Sequence, residues 1–244
     1  MYRARVRMFV FLSNGVKLIM NQQSKGSVSL MNVLVVGANG KIGKQLVEKL
    51  ANDSGYTPKA MVRKEEQLQP FKDMGADTVL ADVEGTVDDI AAAAKGMDAV
   101  VFTAGSGGHT GADKTMMVDF DGAVKSMEAA KQAGAKRFII VSAIGVHRRE
   151  KWMEKAAYYS AAKHYADEWL ASSGLDYTIL RPGLLTNDTG KEKIKVGVDL
   201  ERAEIPREDV ANTIIASLKD KGTIGKAFDL TTGEDTVETA LKNV

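Results

Sequence analysis

From residue 31 onward, short apolar runs alternate with segments whose apolar residues recur at helical spacing. Residues 33–36 (Val-Leu-Val-Val) are continuously apolar, the mark of a strand buried on both faces. Residues 41–52 then place Ile42, Leu46, Val47 and Leu50 on one helical face. A second strand is expected over 59–62, after a Gly-Tyr-Thr-Pro turn that closes the helix. The alternation continues with a short third strand over 77–81, an alanine-rich helix over 87–94 ended by Gly96, and a fourth strand over 99–103. A glycine-rich loop at 105–111, expected to be mobile, leads into one long helix over 113–133 stopped by Gly134. A fifth strand over 137–142, a helix over 156–171 stopped at Ser173-Gly174, and a sixth strand over 177–180 follow. Beyond Pro182 the pattern weakens to a helix over 207–218, an edge strand over 227–230 and a terminal helix over 235–241.

Six strands separated by helices predict an α/β architecture with a doubly wound parallel sheet, covered on both faces. Right-handed crossovers place the ligand crevice at the carboxyl ends of the strands. No repeat, low-complexity tract or linker divides residues 31–244, which read as one domain with substrate-side elements in 182–244. The first thirty residues differ: five basic residues and no acidic one surround a short apolar run at 8–12. That run is too short for a membrane span or an ordinary signal peptide. We expect residues 1–30 to be an upstream extension or leader outside the fold, with Met31 as the natural start.

Composition narrows the chemistry. The chain has 244 residues and a formal net charge of +1, so no global field attracts nucleic acid or an anionic membrane. Cysteine is absent, which excludes disulfides, thiolate metal sites and thiol nucleophiles and is compatible with a cytoplasmic location. The three histidines (His109, His147, His164) do not form a local metal motif. His147 reads as a surface-loop residue, with a proton relay near the cleft as the other reading; His164 and Trp169 read as helix-packing or surface groups.

Gly37-Ala38-Asn39-Gly40-Lys41-Ile42-Gly43 follows a strand and opens a helix. Gly37 lets the chain turn sharply, Gly40 removes a side chain where backbone must approach a diphosphate, and Gly43 lets the helix pack close to the sheet. Amides and dipole at the helix start favour the diphosphate's charge. The pattern predicts a Rossmann-type dinucleotide site, with Asn39, Lys41 and Ile42 as further contacts, rather than a mere tight turn. At the end of the second strand stands Arg63 rather than an acidic residue, so a planar cation is available to clamp a 2′-phosphate, favouring NADP over NAD. The other reading leaves Arg63 and Lys64 as surface charges pairing with Glu65 and Glu66.

Tyr159-Ser160-Ala161-Ala162-Lys163 places a phenol and an ammonium four residues apart on one helical face. A nearby cation favours the phenolate, which makes proton exchange with an alcohol or carbonyl feasible. Alternatively, Tyr159 packs its ring on the sheet and Lys163 is solvated.

The glycine spacing, Arg63, Asp82-Val83, the Tyr159 to Lys163 motif and Arg181-Pro182-Gly183 together resemble the extended and atypical short-chain dehydrogenase/reductases, of the NmrA-like and epimerase-like kind. The resemblance covers nearly all of residues 31–244. It implies that Asp82 and Val83 contact the adenine, although a turn or helix-cap aspartate fits equally. Thr103, Ala104 and Gly105 would flank the cofactor, Lys163 would also hold the nicotinamide ribose, and Pro182 would lie on the nicotinamide side. Ser142, ending the fifth strand, matches the family serine that polarises a substrate carbonyl. Arg207-Glu208-Asp209-Val210 should initiate a helix rather than do chemistry. The resemblance allows a homodimer. Sugar-nucleotide epimerases of the extended branch carry a larger C-terminal lobe, so the expected substrate is smaller. Two functions stay open: an NADP(H)-dependent oxidoreductase acting on a small carbonyl or quinone-like compound, and a non-catalytic NADP(H)-binding redox sensor.

Overall fold

The computed structural model describes residues 30–108 and 110–244. The expected leader, apart from Leu30, and His109 lie outside the described residues.

In chain order the elements are β1 (Met31–Val36), α1 (Lys41–Ala51), β2 (Tyr56–Val62), α2 (Leu68–Asp73), β3 (Asp77–Leu80), α3 (Val87–Ala94) and β4 (Ala99–Phe102). Next, α4 (Ala112–Lys114) runs through a π-helical segment (Thr115–Asp121) into α5 (Gly122–Ala133), then β5 (Arg137–Val141) and α6 (Ala157–Ser172). The remainder is β6 (Asp176–Pro182), β7 (Leu184–Thr186), β8 (Lys193–Gly197), β9 (Glu204–Pro206), α7 (Arg207–Lys219), β10 (Lys226–Thr232), β11 (Asp235–Thr236) and α8 (Val237–Leu241).

The main sheet has the order β11-β8-β10-β6-β5-β4-β1-β2-β3. From β3 to β10 its neighbours are parallel, and only β8 pairs antiparallel, with β10 and β11. The strand sequence reverses between β1 and β4, the switch point where doubly wound sheets open a crevice. β1 shows why both faces are covered. Val33 and Val35 point into one apolar layer with Leu46 and Leu50 of α1 and Ile214 of α7, while Leu34 and Val36 join Ile90, Met127 and Leu170 of α3, α5 and α6. Every one of these side chains is at most 1% exposed.

Four expectations are corrected. The strand expected over 227–230 is not an edge: β10 lies between β6 and β8, and the short β11 takes that rim. Its side chains gave no sign of this because a neighbouring strand from a weakly patterned segment cannot be read locally. β2 begins at Tyr56, so the supposed turn is largely strand; Pro58 is tolerated there, within a parallel ladder, at a backbone geometry a strand shares. The long helix over 113–133 changes to π-helical turns at Thr115–Asp121. Besides α7 and α8, residues 183–244 add β8, β10 and β11 to the sheet and form a small β7–β9 pair. The terminal helix is also shorter than expected, because Thr236 caps it by accepting from the Thr239 amide.

Candidate functional site

The glycine turn is built by its own geometry. Gly37 has φ +81°, a left-handed conformation that disfavours side chains, and an added Cβ would sit 2.5 Å from the Ala104 amide nitrogen. Gly43 lies under the turn, where a Cβ would run into the Gly37 carbonyl and lie 2.8 Å from the Ala38 Cα. Gly40 is the N-cap of α1 and donates its amide to the Gly37 carbonyl at 2.9 Å; no side chain caps the helix. Thr103 fastens the turn to β4: its hydroxyl donates to the carbonyls of Val36 at 3.0 Å and Gly37 at 3.3 Å.

A cavity of about 600 Å³ opens over this turn. Gly37, Asn39, Gly40, Lys41, Arg63, Asp82, Val83, Thr103, Ala104 and Gly105 all line it. Ile42 and Gly43 do not; they are buried beneath the helix start. Pro182 is also buried elsewhere, ending β6, with its carbonyl accepting from the Ile144 amide at 2.9 Å. The bare turn, the uncapped helix start and the adjoining cavity fit the diphosphate of a dinucleotide.

Arg63 is exposed at this cavity and makes no ion pair among the described residues, whereas Lys64 pairs with Glu66 at 3.7 Å. Asp82 combines both of its readings. It lines the cavity, and its carboxylate accepts from the Glu84 amide at 3.0 Å, closing a turn. Several lining residues escaped the sequence reading, among them Gln67, Ser106 and the ion pair of Lys114 with Glu84 at 2.6 Å. Nothing in the sequence pairs Lys114 with Glu84, thirty positions away.

The second half of the site lies on the face covered by α6. Strand register puts Ile140, Ile179 and Ala227 in one row across β5, β6 and β10. Two residues further along come Ser142, Arg181 and Asp229, so an apolar row becomes a buried polar one where the strands end. Above them α6 presents Tyr159, Lys163 and Asp167 at four-residue intervals. Lys163 Nζ donates to the Val141 carbonyl at 3.2 Å, pairs with Asp119 Oδ1 at 3.2 Å, and lies 6.0 Å from the centre of the Tyr159 ring. Burial pushes the Lys163 ammonium down, but Asp119 foremost and then Tyr159 outweigh it and hold its pKa above the usual lysine value. Ser142 is buried and its hydroxyl has no partner among the described residues. None of Ser142, Tyr159 and Lys163 lines the glycine-turn cavity; they lie along the strand ends beyond it.

His147 corrects the surface-loop expectation. Its side chain is only 18% exposed and its Nδ1 is 3.9 Å from Asp229 Oδ1. Burial, and next Arg181, push its pKa down, while burial pushes the wholly covered Asp229 carboxyl up to about 6. His164 packs edge-on against Trp152 and Tyr165, and Trp169 is exposed. Arg207 begins α7 as expected, and Glu208 and Asp209 accept the amides of Gly190, Lys191 and Glu192.

A doubly wound sheet, a glycine turn against a helix start and a cavity at the switch point define an NAD(P)-binding Rossmann protein. The NAD(P)H-binding family matches residues 37–221, and the chain belongs to that family. It is 53% identical over 214 residues to the uncharacterized sugar epimerase YhfK of Bacillus subtilis, covering 88% of this chain and all of the relative. A solved Bacillus halodurans protein assigned to the NAD-dependent epimerase/dehydratases is 41% identical, with a TM-score of 0.82, covering 88% of this chain and 100% of that one. The oxidoreductase ylbE of Lactococcus lactis is 34% identical, with a TM-score of 0.80, covering 88% and 96%. Among the described residues no helix is long and apolar enough to cross a membrane.

Proposed function

We propose that the protein is an NADP(H)-dependent oxidoreductase that reduces a small carbonyl or quinone-like compound. The observation that carries this reading is the bond from Lys163 Nζ to the Val141 carbonyl. It fastens the helix bearing Tyr159 to the strand end that precedes Ser142. NADP rather than NAD is supported by Arg63, a cation without a counter-ion among the described residues at the cavity wall.

When bound, the nicotinamide supplies two electrons and a hydrogen to the carbonyl carbon. Tyr159 donates a proton to the carbonyl oxygen, giving the alcohol, and is reprotonated from solvent. Ser142 donates a hydrogen bond to the same oxygen, and the Lys163 ammonium stands beside the phenol ring. Residues 183–244 form three sheet strands, the β7–β9 pair and two helices rather than a separate lobe, which favours a small substrate over the one the epimerase names suggest.

The test is NADPH consumption with a panel of aldehydes and ortho-quinones, for the wild type and Tyr159→Phe. Loss of turnover in the variant with cofactor affinity retained is expected; unchanged turnover removes Tyr159 from catalysis. The ion pair of Lys163 with Asp119, which offsets the cation beside Tyr159, favours a second reading, a redox sensor. Tight NADPH binding without turnover on any acceptor would select it.

A further inference from the structure

We propose that Asp119 is a positioning residue that ties the wall of the nucleotide cavity to Lys163, so that one carboxylate both holds that wall and offsets the lysine's charge. The inference deepens the oxidoreductase reading and rests on it for its catalytic meaning.

In a regular α-helix, Asp119 would be one more polar residue in the Val118-Asp119-Phe120-Asp121-Gly122 stretch. The π-helical turns at Thr115–Asp121 widen the helix and change which residues face inward, a device that recurs at functional sites. Asp119 is 1% exposed. Its Oδ2 accepts from the Ser106 amide at 3.0 Å and from the Ser106 hydroxyl at 2.7 Å. Its Oδ1 lies 3.2 Å from Lys163 Nζ. A Cβ on Gly105 would come within 3.3 Å of the same Oδ1, so the loop backbone rests on the carboxylate.

Gly105, Ser106 and Gly107 line the nucleotide cavity. One oxygen of Asp119 therefore holds the cavity wall and the other holds the ammonium beside Tyr159. A loop expected to be mobile is anchored at Ser106 by this carboxylate. The charged or titratable groups around Lys163 are Asp119 from the π-helical segment and Tyr159 and Asp167 from its own helix, with Arg181 of β6 already paired to Asp167. Asp119 is the one that hydrogen-bonds the ammonium, which makes it the group whose removal changes the charge felt at Tyr159 most.

The experiment uses the full chain carrying Asp119→Asn, Ser106→Ala, or both. NADPH affinity is measured by calorimetry. The titration of Lys163 is followed by its rate of acylation against pH, mapped on peptides by mass spectrometry. Asp119→Asn should weaken NADPH binding about ten-fold, since it loses charge-assisted bonds to the loop, and the double variant should be no weaker. The midpoint of Lys163 acylation should fall by about one pH unit, because a buried ammonium has lost its counter-ion. A structural role alone would leave that midpoint in place. Should Asp119→Asn fail to fold, Asp119→Asn with Lys163→Met removes the uncompensated cation, and the loop contact is read from that pair and from Ser106→Ala. An unmoved Lys163 midpoint, or wild-type affinity in both Ser106→Ala and the Asp119 variant that folds, overturns the proposal. Failure of the wild type to bind NADPH instead overturns the oxidoreductase reading, and leaves the Lys163 titration to be judged by itself.

Discussion

Arg181 donates from Nε to Asp167 Oδ2 across 2.9 Å, joining β6 to α6 through two side chains that are 7% and 1% exposed. Burial pushes the Asp167 carboxyl up, against the pull of Arg181 beside it. The pair sits between the serine and the His147–Asp229 contact, so it holds the polar end of the site in shape.

Breaking that pair from one side should be costly. Arg181→Met leaves a buried carboxylate unpaired and is expected to lower stability by about 3–5 kcal/mol in urea unfolding. Arg181→Met with Asp167→Leu should recover most of the loss, because no charge is left stranded. A loss below about 1 kcal/mol in the single variant would show that the pair contributes little.

The two glycines of the turn should fail in different ways. Gly43→Ala places a methyl against the Gly37 carbonyl and Ala38, and should cost at least about 2 kcal/mol in thermal unfolding. Gly40 has φ −70° and ψ 163°, extended backbone that any residue adopts. A Cβ there would lie 3.1 Å from the Gly37 carbonyl, a tight but adjustable contact, so Gly40→Val should keep the fold while lowering NADPH affinity about ten-fold or more, as its side chain would stand where the proposed diphosphate site lies. Unchanged affinity in a folded Gly40→Val protein would argue against a diphosphate at this turn.

Arg63→Ala separates the two nucleotides. NADPH affinity should fall by about ten- to a hundred-fold, the effect of losing charge-assisted bonds to a phosphate, while NADH affinity stays within about two-fold. Calorimetry with both nucleotides decides the matter; equal losses would remove the 2′-phosphate role.

Asp229 predicts a pH dependence. Its carboxyl is pushed up to about 6 in the folded protein against an ordinary 3.8, so between these values the fold binds a proton that the unfolded chain does not. Its contribution to stability is present below 3.8 and is lost as pH rises through 6. The whole span is worth on the order of 3 kcal/mol. Asp229→Asn keeps an acceptor for the Leu200 amide and removes the titration, so its stability relative to wild type should rise between pH 4 and 7. Urea unfolding across that range measures it, and a constant difference would refute it.

The legible parts of the molecule were those carried by neighbours in sequence. The glycine turn, its strand and its helix lie within residues 31–51, and Arg63 was found because it follows β2 directly. Tyr159, Lys163 and Ser142 are candidates by spacing and by position at a strand end, although the bond from Lys163 to Val141 is not legible there. Asp119 went unseen because a π-helical turn shifts its direction relative to α-helical periodicity. His147 was misjudged because Asp229, which its ring faces, lies more than eighty positions away in sequence.

The sequence by itself determined the alternation of strand and helix, the bare glycine turn and the absence of thiol chemistry, since each rests on local sterics or on composition. Tertiary structure alone decided that β10 is interior, that Ser142, Arg181 and Asp229 form one row, and that Asp119 meets both Ser106 and Lys163. Those facts depend on register between strands and on helix-to-loop packing across long separations. They are set by burial summed over the whole core, which no local window of residues contains.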